Sequence, residues 1–330
     1  MDDTALLQLH ALARAAAHPG EAAAPCPCRS GLLADRADGT VVRHGRLVLK
    51  AHGPDGDPAA LRARISVAAL PALAEVLLPP LPGPRAADTE RPLSLWPYGS
   101  PVDPEDPGAA PWEAAGRLLA RLHRVPAPPG TPPMRAPVKA ALAVERMRRA
   151  APGHPATPVV LRAWSRVPEP VPGAVPPALC HGDFHLGQLV RLGEPGPAAR
   201  WRLIDVDDLG TGDPAWDLAR PAAWFAAGLL APEIWTRFLS AYETAGGPAT
   251  RGPGPGSGAA DPWARLDVPA RALTVQTAAL AVAKSTAEGR PLDEVEHVMI
   301  DTCARIGSLR TELAPPASPY GESTIRTAGS

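Results

Sequence analysis

The stretch CHGDFHLGQ, residues 180–188, sets two histidines, an aspartate and an amide within nine positions of an alanine-rich chain. Downstream, LIDVDDLGTGDPAWDLA, residues 203–219, adds Asp205, Asp207, Asp208, Asp213 and Asp217. Between these stretches, residues 189–192 and 200–208 read as strands joined by the turn-forming GEPGPAA. A hairpin centred on Pro195-Gly196-Pro197 makes Gln188 and Asp205 cross-strand neighbours. An amide oxygen and a carboxylate at its open end, with Asp183 projecting from the loop before it, form the all-oxygen set that Mg²⁺ prefers; zinc would want nitrogen or sulfur. Magnesium held by one or two protein groups keeps coordination places for phosphates, which points to nucleotide chemistry. Asp183 is then left to hold a hydroxyl and accept its proton. His181 and His185 read as loop residues bonded to backbone, because a glycine-containing loop lacks the helix that would align both rings on a metal.

These segments need a partner surface, and the N-terminal third supplies a candidate. After an amphipathic helix over 4–17, residues 31–51 read as three strands turning at Asp38-Gly39 and His44-Gly45. A helix follows over 58–70, then strand-like sequence at 76–81 and 92–96. The segment from Trp96 to Pro111 is too rich in proline and glycine to continue either element and reads as a hinge. Beyond it, Trp112, Ala115, Leu119 and Leu122 mark a helix with one buried face. Further helices are expected at 138–150, 159–166, 213–230, 232–245 and 269–287, with loops at 151–158 and 249–262. Asp213 before Pro214 suits a helix cap, and Asp217 is read as holding the catalytic loop by hydrogen bonds.

Bulk composition narrows the partners. Among 330 residues, 33 basic side chains face 34 acidic ones, so no charge footprint argues for nucleic acid or an anionic membrane. No apolar run is long enough to cross a bilayer, and no secretory leader is apparent, so a cytoplasmic location is expected. Thirty of the basic residues are arginine, which leaves Lys50, Lys139 and Lys284. Each lysine raises the question of why arginine would not serve there. Taken alone, Lys50 reads as a solvated strand residue; its scarcity and its place in the meander raise it. Of four cysteines, Cys26 and Cys28 could be half of a metal site, but no second pair stands at zinc-like spacing, so they read as surface or packing thiols. The tryptophans read as core, with Trp96 the exception, because it lies beside the hinge where backbone groups of residues 95–99 would face a purine.

The pair HGDFHLGQL and LIDVDDLGTGDPAWDLA resembles the aminoglycoside phosphotransferase and choline kinase-like family, whose fold is that of the protein kinases. The likeness extends over residues 30–312 and is strongest between 178 and 226. It implies an α+β, bilobal fold, with a small antiparallel lobe over 1–97 and a mainly helical lobe over 98–314; the tail over 315–330 lacks periodicity and reads as disordered. It also implies Asp183 as catalytic base, Asp205 with Gln188 on Mg²⁺, and Lys50 on the phosphates of ATP or GTP. Gly39 would lie over the phosphates, with Trp96 and Tyr98 beside the base. His181, His185, Asp207, Asp208, Asp213 and Asp217 would support the site or face the substrate. The expected reaction is phosphorylation of a hydroxyl on an aminoglycoside-like or other small acceptor by a monomer or homodimer. Two departures stand out: glutamine replaces the usual asparagine at 188, and the helix over 58–70 has no acid to pair with Lys50, leaving Glu75 as the nearest. They motivate the alternatives of a kinase-fold binding module without turnover, or a maltokinase-like sugar or amino-alcohol kinase.

Overall fold

The computed structural model describes residues 2–309, apart from 21–25, 37, 55, 84–90, 107, 170–174, 195, 197–198 and 252–260; the tail from Pro315 lies outside the described residues. Helix α1 (Asp3–Ala17) is capped by the Asp2 carboxylate, which accepts from the Ala5 N–H at 2.8 Å. Strands β1 (Ser30–Arg36), β2 (Gly39–His44), β3 (Leu47–His52) and β4 (Leu93–Pro97) form an antiparallel sheet in that order. Leu9 and Ala13 of α1 pack on Val42, Leu49, Ala51 and Leu95, so alternation along β2 and β3 buries one sheet face beneath the helix.

Helix α2 (Pro58–Ala68) opens on a proline in its first turn, and the Asp57 side chain caps it through Ala59 N–H at 2.8 Å. The stretch 76–81 is not a strand. It makes isolated bridges at Leu77 and Leu81, because Pro79 and Pro80 cannot donate to a ladder. The hinge is crossed by β5 (Ser100–Pro101).

The remaining chain is mainly helical. Helix α3 (Trp112–Arg124) buries Trp112, Ala115, Leu119 and Leu122. Helices α4 (Ala136–Ala150) and α5 (Thr157–Trp164) lead to β6 (Ala178–Cys180), followed by β7 (Leu189–Leu192), β8 (Arg200–Leu203) and β9 (Gly210–Gly212). Strand β7 pairs with β5 and β8, and β6 pairs with β9. Helices α6 (Ala215–Ala226), α7 (Pro232–Thr244), α8 (Trp263–Glu288) and α9 (Glu294–Gly307) complete the lobe.

Two helices depart from the sequence reading. Helix α8 starts six residues before Pro269 and carries that proline inside it; burial of Leu266, Pro269, Ala270 and Leu273 offsets the missing backbone bond. Helix α9 was not anticipated, although Asp293 and Glu296 form a reciprocal capping box at its start. Among the described residues, no helix is long and apolar enough to cross a membrane.

Candidate active site

Strand β6 delivers the chain into the loop of residues 181–188, and two features fix that loop. Gly182 takes φ +83°, and a Cβ there would collide with the Asp208 carbonyl, so the position requires glycine. Buried Asp217 receives the His181 N–H at 2.6 Å and the Gly182 N–H at 2.7 Å. It also receives His123 Nε2 at 2.9 Å, while His123 Nδ1 meets the Tyr242 hydroxyl at 2.8 Å and that oxygen accepts from Ala249 N–H at 2.9 Å. Burial would raise the Asp217 carboxyl, but these donors, His123 foremost, hold it below its ordinary value. Phe184 stacks on Phe238 at 6.0 Å, which anchors the middle of the loop.

His181 Nε2 lies 2.7 Å from the Ile204 carbonyl, a backbone bond that ties the loop to the hairpin. His185 Nδ1 accepts from Gly187 N–H at 3.0 Å. Burial and then the Arg220 charge lower the His185 imidazole to about 4, so it is neutral at pH 7.

The Asp183 carboxylate is gripped from two helices. Lys139 Nζ of α4 lies 2.8 Å from Oδ2, and Arg220 of α6 lies 2.9 Å from Oδ1. Burial alone would raise this carboxyl, yet Lys139 and Arg220 hold it well below the usual carboxylate range. Lys139 also reaches Asp208 at 2.6 Å. Burial moves the Asp208 carboxyl the other way, upward, against that attraction.

The hairpin register differs by one residue from the sequence reading. Leu189 pairs with Leu203, and Ile204 N–H donates to the Gln188 carbonyl at 2.9 Å, so Gln188 faces Ile204 and not Asp205. Strand β8 also ends at Leu203, five residues early, because Asp205 turns at φ +63° and breaks the extended backbone. Aspartate tolerates this left-handed conformation better than most residues.

That turn aims Asp205 at the small lobe. Lys50 Nζ lies 2.7 Å from Asp205 Oδ1 and 3.0 Å from Asp207 Oδ2. These aspartates thus complete the environment that a small-lobe acid would supply, whereas Glu75 pairs with Arg202 at 2.8 Å. Burial opposes the Lys50 charge, but Asp205 and Asp207 more than compensate and raise its pKa. Asp207, lowered to about 2 against burial, also binds His52, whose Nδ1 lies 3.0–3.1 Å from its oxygens. Gln188, the last residue of the short turn Leu186–Gln188 before β7, is 8% exposed. Its oxygen and the partly exposed Asp205 carboxylate are hard donors that fit Mg²⁺.

Other expected positions behave differently. Trp96 is 7% exposed, packs in the main core and donates Nε1–H to Ser94 Oγ at 2.7 Å; it offers no face to a purine. Two of the backbone groups expected to face the base are engaged within the small lobe, since Leu95 O accepts from Leu81 N–H and Tyr98 N–H donates to Arg46 O, both at 2.7 Å. The Tyr98 ring carries the Arg43 guanidinium 3.4 Å from its centroid. Gly39 lies against the Lys50 stem, where a Cβ would stand 3.2 Å from Cε. Asp213 precedes the cap residue Pro214, accepts from Ala215 N–H at 3.0 Å and pairs with Arg265 at 2.9 Å.

A cavity of about 1300 Å³ opens between the lobes, lined among others by Asp183, His185, Asp207 and Lys139. Lys139, Arg220 and His52 belong to this site although the sequence reading did not place them there. A signal existed for two of them: Lys139 is one of three lysines, and His52 follows Lys50 by two residues, which puts both on one face of β3. Arg220 carried none among thirty arginines. In place of an acid, α2 presents buried Arg64, which donates to Leu209 O at 2.8 Å and Pro133 O at 3.3 Å.

A small antiparallel lobe over a helical lobe, with a strand lysine reaching the aspartates beyond a loop aspartate, defines the kinase-like phosphotransferase class. Residues 28–260 match the model of the phosphotransferase enzyme family, APH, and the chain belongs to that family. Its fold is similar to a choline/ethanolamine kinase family protein from Mesorhizobium loti (TM-score 0.59, 19% identity, 91% of this chain and 94% of that one). It is also similar to a macrolide 2'-phosphotransferase from Brachybacterium faecium (0.51, 21%, 92% and 100%). An amicoumacin kinase, in complex with AMP-PNP, Ca²⁺ and Ami, gives a TM-score of 0.61 at 15% identity over 93% of each chain. No curated protein matches the sequence.

Proposed function

We propose that the protein transfers the γ-phosphoryl group of ATP or GTP to a hydroxyl of a small acceptor in the cytoplasm. The observation that carries this reading is the meeting of Lys50 with Asp205 and Asp207, beside a cavity onto which Asp183 opens. The amicoumacin kinase in complex with AMP-PNP supports an adenine nucleotide as donor. Asp205 and the Gln188 amide would hold Mg²⁺, which neutralises phosphate charge when bound. Lys50 would exchange a carboxylate partner for phosphate oxygens. Asp183, fixed by Lys139 and Arg220, would orient the acceptor hydroxyl; at so low a pKa its service is positioning, with proton acceptance late in transfer.

The charge pattern limits the acceptor. Of the five aspartates between 205 and 217, Asp205 and Asp207 face Lys50, Asp208 faces Lys139, Asp213 faces Arg265 and Asp217 is buried. Few carboxylates remain to attract a polycation, and the cavity wall adds Arg146 together with the apolar Leu142, Trp224 and Leu280. A neutral or anionic hydroxylated molecule with an apolar face fits this lining better than an aminoglycoside-like polycation.

The test is a screen of hydroxylated acceptors with labelled ATP and GTP. Acceptor-dependent, Mg²⁺-dependent transfer is expected, falling by about 10²–10⁴-fold in Asp183→Asn. Nucleotide binding without any such turnover would instead indicate a binding module.

A further inference from the structure

We propose that the small lobe carries a structural zinc site formed by His18, Cys26, Cys28 and His44, separate from the phosphotransfer site. His18 caps the C-terminal end of α1, Cys26 and Cys28 lie in the segment entering β1, and His44 ends β2. These positions span three separate parts of the lobe, yet their four donor atoms all lie within 4.8 Å of one another. Cys26 Sγ stands 3.2 Å from His44 Nε2, and Cys28 Sγ stands 3.5 Å from His18 Nε2. The two imidazole rings are nearly perpendicular, at 87°, with centroids 5.3 Å apart, and both turn Nε2 toward the thiols.

The four donors stand close enough for modest side-chain shifts to close them on one tetrahedral ion. With Zn–S near 2.3 Å and Zn–N near 2.0–2.1 Å, the edges of a regular S₂N₂ tetrahedron come to roughly 3.3–3.8 Å. The sulfur–nitrogen edges of such a site are about 3.5–3.6 Å, so the Cys28–His18 contact at 3.5 Å matches and the Cys26–His44 contact at 3.2 Å is about 0.3 Å shorter. Isolated thiol–imidazole hydrogen bonds would account for each contact separately. They would not draw all four donors around one point. Two thiolates and two neutral imidazoles balance one divalent ion, which suits three half-buried groups and one buried one. Soft sulfur with imidazole in a closed four-ligand set selects zinc over magnesium or calcium. Zinc would replace the two thiol protons and join the end of α1 and the lead-in to β1 to the β2–β3 turn. Gly45 seats that turn closely, since at φ +59° a Cβ would already touch Cys28 Sγ at 3.4 Å. The site lies five residues along β2 from Gly39, on the order of 15 Å, so its role is to hold the lobe together and not to touch substrate.

The experiment uses the full chain without a histidine tag, purified under reducing conditions, with metal content measured by mass spectrometry. One zinc per chain is expected, lost in the Cys26→Ser, Cys28→Ser double variant and kept in Cys303→Ser. Replacement by Co²⁺ in the wild-type chain should give the intense visible absorption of tetrahedral cobalt bound to thiolate, a readout that does not depend on any variant folding. A folded wild-type chain that holds no zinc and gives no such cobalt spectrum overturns the proposal. Full zinc in the double variant, or a Cys26–Cys28 disulfide in place of metal, overturns it equally.

Discussion

Replacing Asp217 by asparagine tests how the loop of residues 181–188 is held. The carboxylate receives three N–H groups: His181 N and His123 Nε2 on one oxygen, Gly182 N on the other. An asparagine can keep its oxygen on the first pair only by turning its NH₂ toward Gly182, which places donor against donor. One charge-assisted bond is lost and one buried N–H goes unsatisfied, so the expected destabilisation is about 3 kcal/mol. In melting temperature this is roughly 5–10 °C. The sign with pH follows from the lowered carboxyl pKa in the folded chain. That stabilisation is fully present above the unfolded value of 3.8 and is lost as pH falls through the folded one. The gap between wild type and variant is therefore widest near neutrality and narrows in acid. Urea unfolding at several pH values measures it, with hydrogen exchange at Gly182 as a local reading. A loss below about 1 kcal/mol, or a gap that widens on acidification, would refute the assignment of these three bonds.

Lys139→Met leaves Asp183 with Arg220 alone and Asp208 with a distant Arg135, 3.7 Å away. The Asp183 carboxyl should rise, moving the acid limb of the activity profile to higher pH, with a stability loss of about 2 kcal/mol, between values for exposed and buried pairs. The His185 imidazole should titrate near 4 by NMR, and because its folded pKa lies below the unfolded 6.5, it contributes stability above pH 6.5 that is lost as pH falls toward 4; His185→Asn should flatten that part of the stability curve. Gly182→Ala adds a Cβ against the Asp208 carbonyl, which is itself held by the Arg135 N–H, and should cost about 3 kcal/mol or more in chemical denaturation.

Much of the framework was legible because it rests on local chemistry. Polar-glycine turns and β-type alternation placed the meander, and the spacing of buried residues placed α3. The hairpin register missed by one residue because a proline-glycine run does not fix how many residues a turn takes up, and β8 ends early because the left-handed turn at Asp205 leaves no trace in a pattern of apolar residues. Trp96 was misjudged because proximity to a hinge says nothing about which way an indole points, and its N–H is satisfied by Ser94 two residues away. The scarcity of lysine marks Lys139 as well as Lys50: both lie among aspartates, whereas Lys284 sits on exposed helix surface near Glu288. No second cysteine pair marks Cys26 and Cys28 in the sequence, because their neighbours in space are single histidines, His44 and His18, contributed by separate parts of the small lobe.

Arg64 gives α2 a mooring that chemistry in the cleft does not easily disturb. In a lysine–glutamate arrangement, an arriving phosphate or a proton competes for the same charges that set the helix angle. Carbonyl oxygens at Leu209 and Pro133 neither titrate nor bind phosphate. Any swing of one lobe away from the other must therefore carry α2 along with the helical side or break both bonds, so the helix should keep one posture through loading, transfer and release.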